Sequence, residues 1–213
     1  MKKINADFIT SICFFVTFVL FTVFISLIDV RPIGPLSSSI GFATLNAYVH
    51  GLTGVNLFLY NITDLLGLVP CLFCACFALI GLIQWIKRKS IYKVDRDILA
   101  LGIIYIVTIF IYLVFEYIKV NYRPILISGV LEASYPSSTT VLTIVVMLTA
   151  VIELNSRIKR NAVRYIAVVL IVLFTLFMII GRVLSGVHWF TDIIGGILLG
   201  ASLFSAYKSI SRI

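Results

Sequence analysis

The chain has 213 residues, 61% of them hydrophobic and only 12% charged, with a formal net charge of +8. Soluble domains run at about 45–50% apolar and about 25% charged residues, so this composition excludes a water-soluble globule and leaves no room for a soluble module beside membrane spans. The basic excess does not mark a nucleic-acid binder either. Its Lys and Arg fall in short clusters between apolar runs, with no arginine-rich helix or aromatic-basic platform.

Six apolar runs follow one another: Phe8 to Ile28, Leu65 to Ile86, Ile98 to Ile118, Thr139 to Leu154, Tyr165 to Gly181 and Ile193 to Tyr207. Most approach the ~20 residues that a helix needs to cross the hydrocarbon core; the fourth and sixth are short. The pattern predicts an all-α, polytopic membrane bundle of six transmembrane helices, forming one domain over residues 1–213. The first run is too long for a signal-peptide core and no small-residue cleavage site follows it, so it reads as a retained span.

Six spans put both termini on one side. Lys2 and Lys3 precede span one, and Lys87, Arg88, Lys89, Lys93 and Arg96 separate spans two and three. Arg157, Lys159, Arg160 and Arg164 separate spans four and five, and Lys208 and Arg212 follow span six. This face therefore carries all but Arg31, Lys119, Arg123 and Arg182, and the positive-inside bias makes it cytoplasmic. The reading is a multi-pass protein of a bacterial plasma membrane, with both termini inside. Three segments then face outward: Asp29 to Asp64, rich in Gly, Pro and Ser and expected to hold short interfacial helices, Lys119 to Ser138, and Arg182 to Asp192.

Cys13, Cys71, Cys74 and Cys76 all lie within apolar runs and read as small buried residues. Cys71-x2-Cys74 has no second pair or nearby His to complete a zinc site, so neither a metal nor another cofactor is expected. Asn61-Ile62-Thr63 matches a glycosylation sequon but hugs a span and carries no weight.

Chemistry concentrates in the third outer segment, Gly181-Arg182-Val183-Leu184-Ser185-Gly186-Val187-His188-Trp189-Phe190-Thr191-Asp192. Asp192 follows His188 by four residues, which on a helix puts both side chains on one face. A carboxylate that holds one imidazole nitrogen fixes the tautomer and frees the other nitrogen to attack. Arg182 brings a planar guanidinium suited to two-point contact with phosphate. Ser185-Gly186 lets the backbone turn, bringing Arg182 and His188 towards one pocket. Ionisable groups at a membrane boundary are costly enough that function is the first hypothesis.

The second outer segment adds Arg123 and Lys119 as cations. It also holds Pro136-Ser137-Ser138-Thr139, a helix start whose N–H groups and hydroxyls suit an anion. With these residues the chain resembles the type 2 phosphatidic acid phosphatase superfamily of membrane lipid phosphate phosphatases. That family's third motif, Arg-x5-His-x3-Asp, is matched by Arg182, His188 and Asp192. Its first, Lys-x6-Arg-Pro, ends in Arg123-Pro124 but has Glu116 at the Lys position. Its second, Pro-Ser-Gly-His, is matched by Pro136 and Ser137, with Ser138 replacing the glycine and Thr139 the histidine. The resemblance implies that His188 is a nucleophile forming a phosphohistidine, Asp192 its orienting partner and Arg182 a phosphate ligand. The substrate would be a lipid phosphate or diphosphate on the outer face.

The departures set further expectations. The family's second histidine protonates the leaving group, and Thr139 cannot do so. Glu132, Glu116 and His50 are the available substitutes. Lys119, three residues beyond Glu116 on the same helical face, is expected to pair with it and to supply the charge that the first motif lacks. Retention of His188 with Asp192 favours an enzyme. Loss of the second-motif histidine favours a relative that only binds, flips or senses lipid phosphates through Arg123 and Arg182. A transporter finds little support, since no charge pattern suggests a conduit through the spans.

Overall fold

The computed structural model describes residues 6–211, and among these no strand occurs. Eight α-helices form: α1 (Ala6–Leu27), α2 (Ala43–Thr53), α3 (Leu57–Leu66), α4 (Leu68–Arg88), α5 (Arg96–Tyr117), α6 (Ser138–Arg157), α7 (Asn161–Leu184) and α8 (Phe190–Ser211). Six stretches are long and apolar enough to cross a membrane, α3 and α4 counting as one of 32 residues. The expected six-helix architecture holds. Span two begins earlier than its hydropathy suggested, because Gly67 between α3 and α4 keeps right-handed helical angles (φ −58°, ψ −18°). The side chain of Asn56 caps the start of α3 by accepting from Leu59 N–H at 2.9 Å.

The two runs that looked short are full spans, α6 of 20 residues and α8 of 22. Their apolar runs are interrupted because these helices face protein instead of lipid. Thr140, Thr143, Thr149 and Glu153 of α6 are buried, as are Ser202, Ser205 and Ser209 of α8. Helix α8 packs against α1, α6 and α5 at the centre of the bundle. Small residues permit this close approach: a Cβ added at Gly200 would lie 2.9 Å from Ile144, and one at Gly195 would lie 2.4 Å from the Tyr135 ring.

One end of the bundle is closed by charge. Glu153, 1% exposed, accepts from the Tyr207 hydroxyl and from Arg157 at 2.7 and 2.9 Å, and Arg157 also pairs with Asp97 at 2.9 Å. Arg88 pairs with Asp95 at 2.6 Å beside them. The described basic residues of the α4–α5 and α6–α7 connections gather at this end; Lys2, Lys3 and Arg212 lie outside the described residues. The other end carries α2, the 118–137 segment and the α7–α8 turn, and the site described below belongs to it. The cysteines differ from expectation. Cys13, Cys71 and Cys76 are exposed on helix surfaces and Cys74 is half-buried, because a face turned to lipid accepts small apolar residues as readily as a core does.

Gly195→Ala drives a Cβ into the Tyr135 ring, an overpacking expected to cost about 1–3 kcal/mol and to lower the melting temperature in detergent. Gly51→Ala, whose added Cβ meets nothing within 4 Å, leaves it unchanged or raises it.

Candidate active site

The turn from α7 to α8 is built around Gly186. Its φ of +64° favours glycine, and an added Cβ would lie 1.8 Å from the carbonyl oxygen of Gly54. Asn56 N–H donates to Ser185 O at 2.9 Å, so the first connecting segment and the α7–α8 turn hold each other. The turn brings His188 back towards the end of α7, near enough to Arg182 for that charge to act on the ring.

His188 precedes α8, which starts at Phe190, so it does not share a helical face with Asp192. Asp192 instead caps the helix start: its Oδ2 accepts from Trp189 N–H at 2.9 Å, while Oδ1 accepts from Asn121 Nδ2 at 3.2 Å. His188 Nδ1 lies 3.6 Å from Asp192 Oδ2, beyond hydrogen-bond length. The carboxylate therefore acts on the ring mainly through charge at this distance.

At the other ring nitrogen, Arg123 Nη1 is 3.2 Å from His188 Nε2. Since Arg can only donate, Nε2 carries the lone pair and the proton resides on Nδ1, towards Asp192. Burial away from water pushes the imidazole pKa from 6.5 down to about 4; Asp192 pulls it up, and Arg123 adds to the lowering. His188 is therefore a neutral ring with a free electron pair at physiological pH.

Arg182, 2% exposed, donates from Nη2 to Thr139 Oγ1 at 2.6 Å and to Asp64 Oδ1 at 3.2 Å, and from Nη1 to Thr63 Oγ1 at 3.4 Å. Arg123 is paired with Glu132 at 2.9 Å. Both guanidinium groups lie over the Tyr60 ring, Arg182 at 5.1 Å and Arg123 at 6.0 Å from its centroid. A cavity of about 520 Å³ opens beside them. Asp64, Glu116, Arg123, Ser138, Thr139 and His188 line its polar end, and Cys71, Cys74, Ile109 and Leu142 lie along its apolar side between α4, α5 and α6. A second apolar cavity of about 340 Å³ between α4 and α5 shares Cys74 with it.

Not every candidate residue comes to this space. Lys119 lies beyond the end of α5 at Tyr117, so the helical spacing that would pair it with Glu116 does not exist. It rests instead over the Tyr122 ring at 5.9 Å. Ser137 is buried and points away; its Oγ accepts from Thr140, and its backbone N–H donates to Asp192 O at 3.0 Å. His50 packs against Trp189, with ring centroids 5.5 Å apart. No cluster of metal-ligating side chains forms among the described residues.

Asp64, Tyr60 and Asn121 were not singled out in the sequence. Asp64 alone gave a usable signal, as an acid at the same membrane boundary as the motifs. Tyr60 and Asn121 are ordinary boundary and loop residues until the fold brings them in.

Membrane-length helices converging on a buried histidine, its carboxylate and two arginines define a polytopic membrane protein with a charged site at one end of its bundle. Residues 113–212 match the PAP2 superfamily model. That span contains all three motif regions, so the match supports the resemblance read from them. Over nearly the full length, the fold is that of a transmembrane PAP2-type phosphatidylglycerolphosphate phosphatase from Bacillus subtilis. The TM-score is 0.69, the alignment covers 95% of this chain and 96% of that one, and the identity is 16%. No curated protein matches the chain.

The lowered pKa of His188 carries a stability consequence. Its unfolded form takes up a proton near pH 6.5 and its folded form only near pH 4, so acidification through that window favours unfolding. Melting curves of the wild type are expected to lose stability progressively from pH 6.5 to 4, and those of His188→Asn to fall less steeply. Parallel pH profiles would contradict the assignment.

Proposed function

We propose that this protein is a lipid phosphate or diphosphate phosphatase that works through a phosphohistidine on His188. The observation that carries the reading is the state of that ring: neutral, buried, its Nε2 electron pair turned towards Arg123 at the mouth of the cavity. Asp192, 3.6 Å from Nδ1, stabilises by its charge the positive ring that forms when Nε2 binds phosphorus. Arg123 and Arg182 take the phosphate oxygens, helped by Ser138 and Thr139 at the start of α6. No step requires a metal ion.

The apolar cavities continuing from this site along α4 and α5 suit a lipid tail. In this reading the active site faces outward; the described basic connections at the opposite end of the bundle support it, since the positive-inside bias favours that end as cytoplasmic.

One observation favours a second reading, a relative that binds lipid phosphates without turning them over. Thr139 stands where the resembling family has its proton donor, and each arginine is already paired with a carboxylate. A phosphate leaving group needs far less protonation than an alkoxide, so an enzyme of this kind prefers diphosphates. Purified protein is therefore expected to release phosphate faster from a prenyl diphosphate than from phosphatidic acid, and His188→Ala to abolish release from both. Absence of release above the His188→Ala background would establish the binding-only reading.

A further inference from the structure

Besides Asp192, three carboxylates lie at or beside the site, and their positions are not equivalent. Glu132 is bonded to Arg123, the guanidinium that touches the Nε2 atom of His188. It stands on the nucleophile's side. Phosphoryl transfer keeps the attacking and leaving atoms roughly in line, so a proton donor to the leaving group belongs across the phosphate from His188. Glu116 lines the cavity from α5 but forms no ion pair with either arginine among the described residues. Asp64 pairs with the other guanidinium, that of Arg182. Its Oδ1 approaches Arg182 Nη2 at 3.2 Å, and the same nitrogen donates to Thr139 Oγ1 at 2.6 Å. The carboxylate thus meets the same guanidinium nitrogen as the side chain at position 139. It also lines the same cavity as His188, and its side chain is 58% exposed.

We propose that Asp64 is the proton donor to the leaving group, replacing the histidine that Thr139 displaces; the proposal rests on His188 being the nucleophile. In the free site the Asp64 carboxylate occupies Arg182. A phosphate monoanion that takes this seat brings a proton and hands it to the displaced Asp64 carboxylate. His188 Nε2 then gives its electron pair to phosphorus, the bond from phosphorus to the leaving oxygen breaks, and that oxygen takes the proton from the Asp64 carboxyl. In the second half a water oxygen attacks phosphorus and the phosphorus–nitrogen bond breaks, returning its pair to Nε2. The water's proton passes to the Asp64 carboxylate and departs with the phosphate product as its monoanion, which returns the Asp64 carboxylate to Arg182.

The test is the dependence on leaving group. Wild type, Asp64→Asn, Asp64→Glu, His188→Ala and Asp64→Asn combined with Thr139→His are assayed on phosphatidic acid and on a prenyl diphosphate. Asp64→Asn is expected to lower kcat on phosphatidic acid by about 10²-fold or more, the scale of a general acid, and to lower kcat on the diphosphate by less than about tenfold, with KM no higher on either. Asp64→Glu keeps most of the activity, and Thr139→His restores turnover of phosphatidic acid in the Asp64→Asn background. Equal losses on both substrates, or a change confined to KM, would overturn the proposal while leaving the nucleophile in place. Activity persisting in His188→Ala would overturn the nucleophile assignment and this proposal with it.

Discussion

The arrangement depends on one buried carboxylate. Asp192 is fully buried at the start of α8, and each of its polar atoms has a structural duty. One oxygen caps the Trp189 N–H, the other takes the Asn121 amide, and its backbone carbonyl receives the Ser137 N–H. Three segments far apart in the chain are thereby tied to one point: the α7–α8 turn, the 118–137 connection and the beginning of α6. An isolated buried charge would be prohibitive, so these donors are a condition of its presence. Once they are in place, the charge is available to the imidazole 3.6 Å away.

From that anchor the site divides into two halves. On one side Arg123 meets the electron pair of His188 and is itself held by Glu132; on the other Arg182 meets Thr139 and Asp64. Tyr60 lies beneath both guanidinium groups and keeps the like charges beside each other over one aromatic face. The paired carboxylates keep the site from carrying two bare cations. At the far end of the bundle, Glu153, Arg157 and Tyr207 form a closed network that holds α6 and α8 together away from the chemistry.

Much of this was legible in the sequence. Apolar runs gave the six spans, and the Arg-x5-His-x3-Asp spacing gave Arg182, His188 and Asp192, which the fold brings together with Arg123. The helix-face argument for His188 and Asp192 failed for a definite reason: His188 falls in the turn before α8, and Asp192 serves as that helix's cap. Spans four and six looked short because their buried Thr, Ser and Glu face protein, a distinction that hydropathy does not make. Lys119 misled because α5 stops two residues before it. Asp64, Tyr60 and Asn121 were out of reach because their roles arise from contacts across long stretches of chain, and no local spacing encodes them. The PAP2 superfamily match over residues 113–212 covers the motif regions but not Asp64, which α3 supplies.

The central claim, that His188 carries the phosphoryl group, is tested most directly by trapping it. Protein turning over a lipid phosphate labelled in the phosphate is quenched in base and digested, and the label is mapped. Label stable to base, lost in acid and located on the peptide that contains His188 is the predicted result. Label absent from the protein during active turnover, or found on another residue, would contradict it.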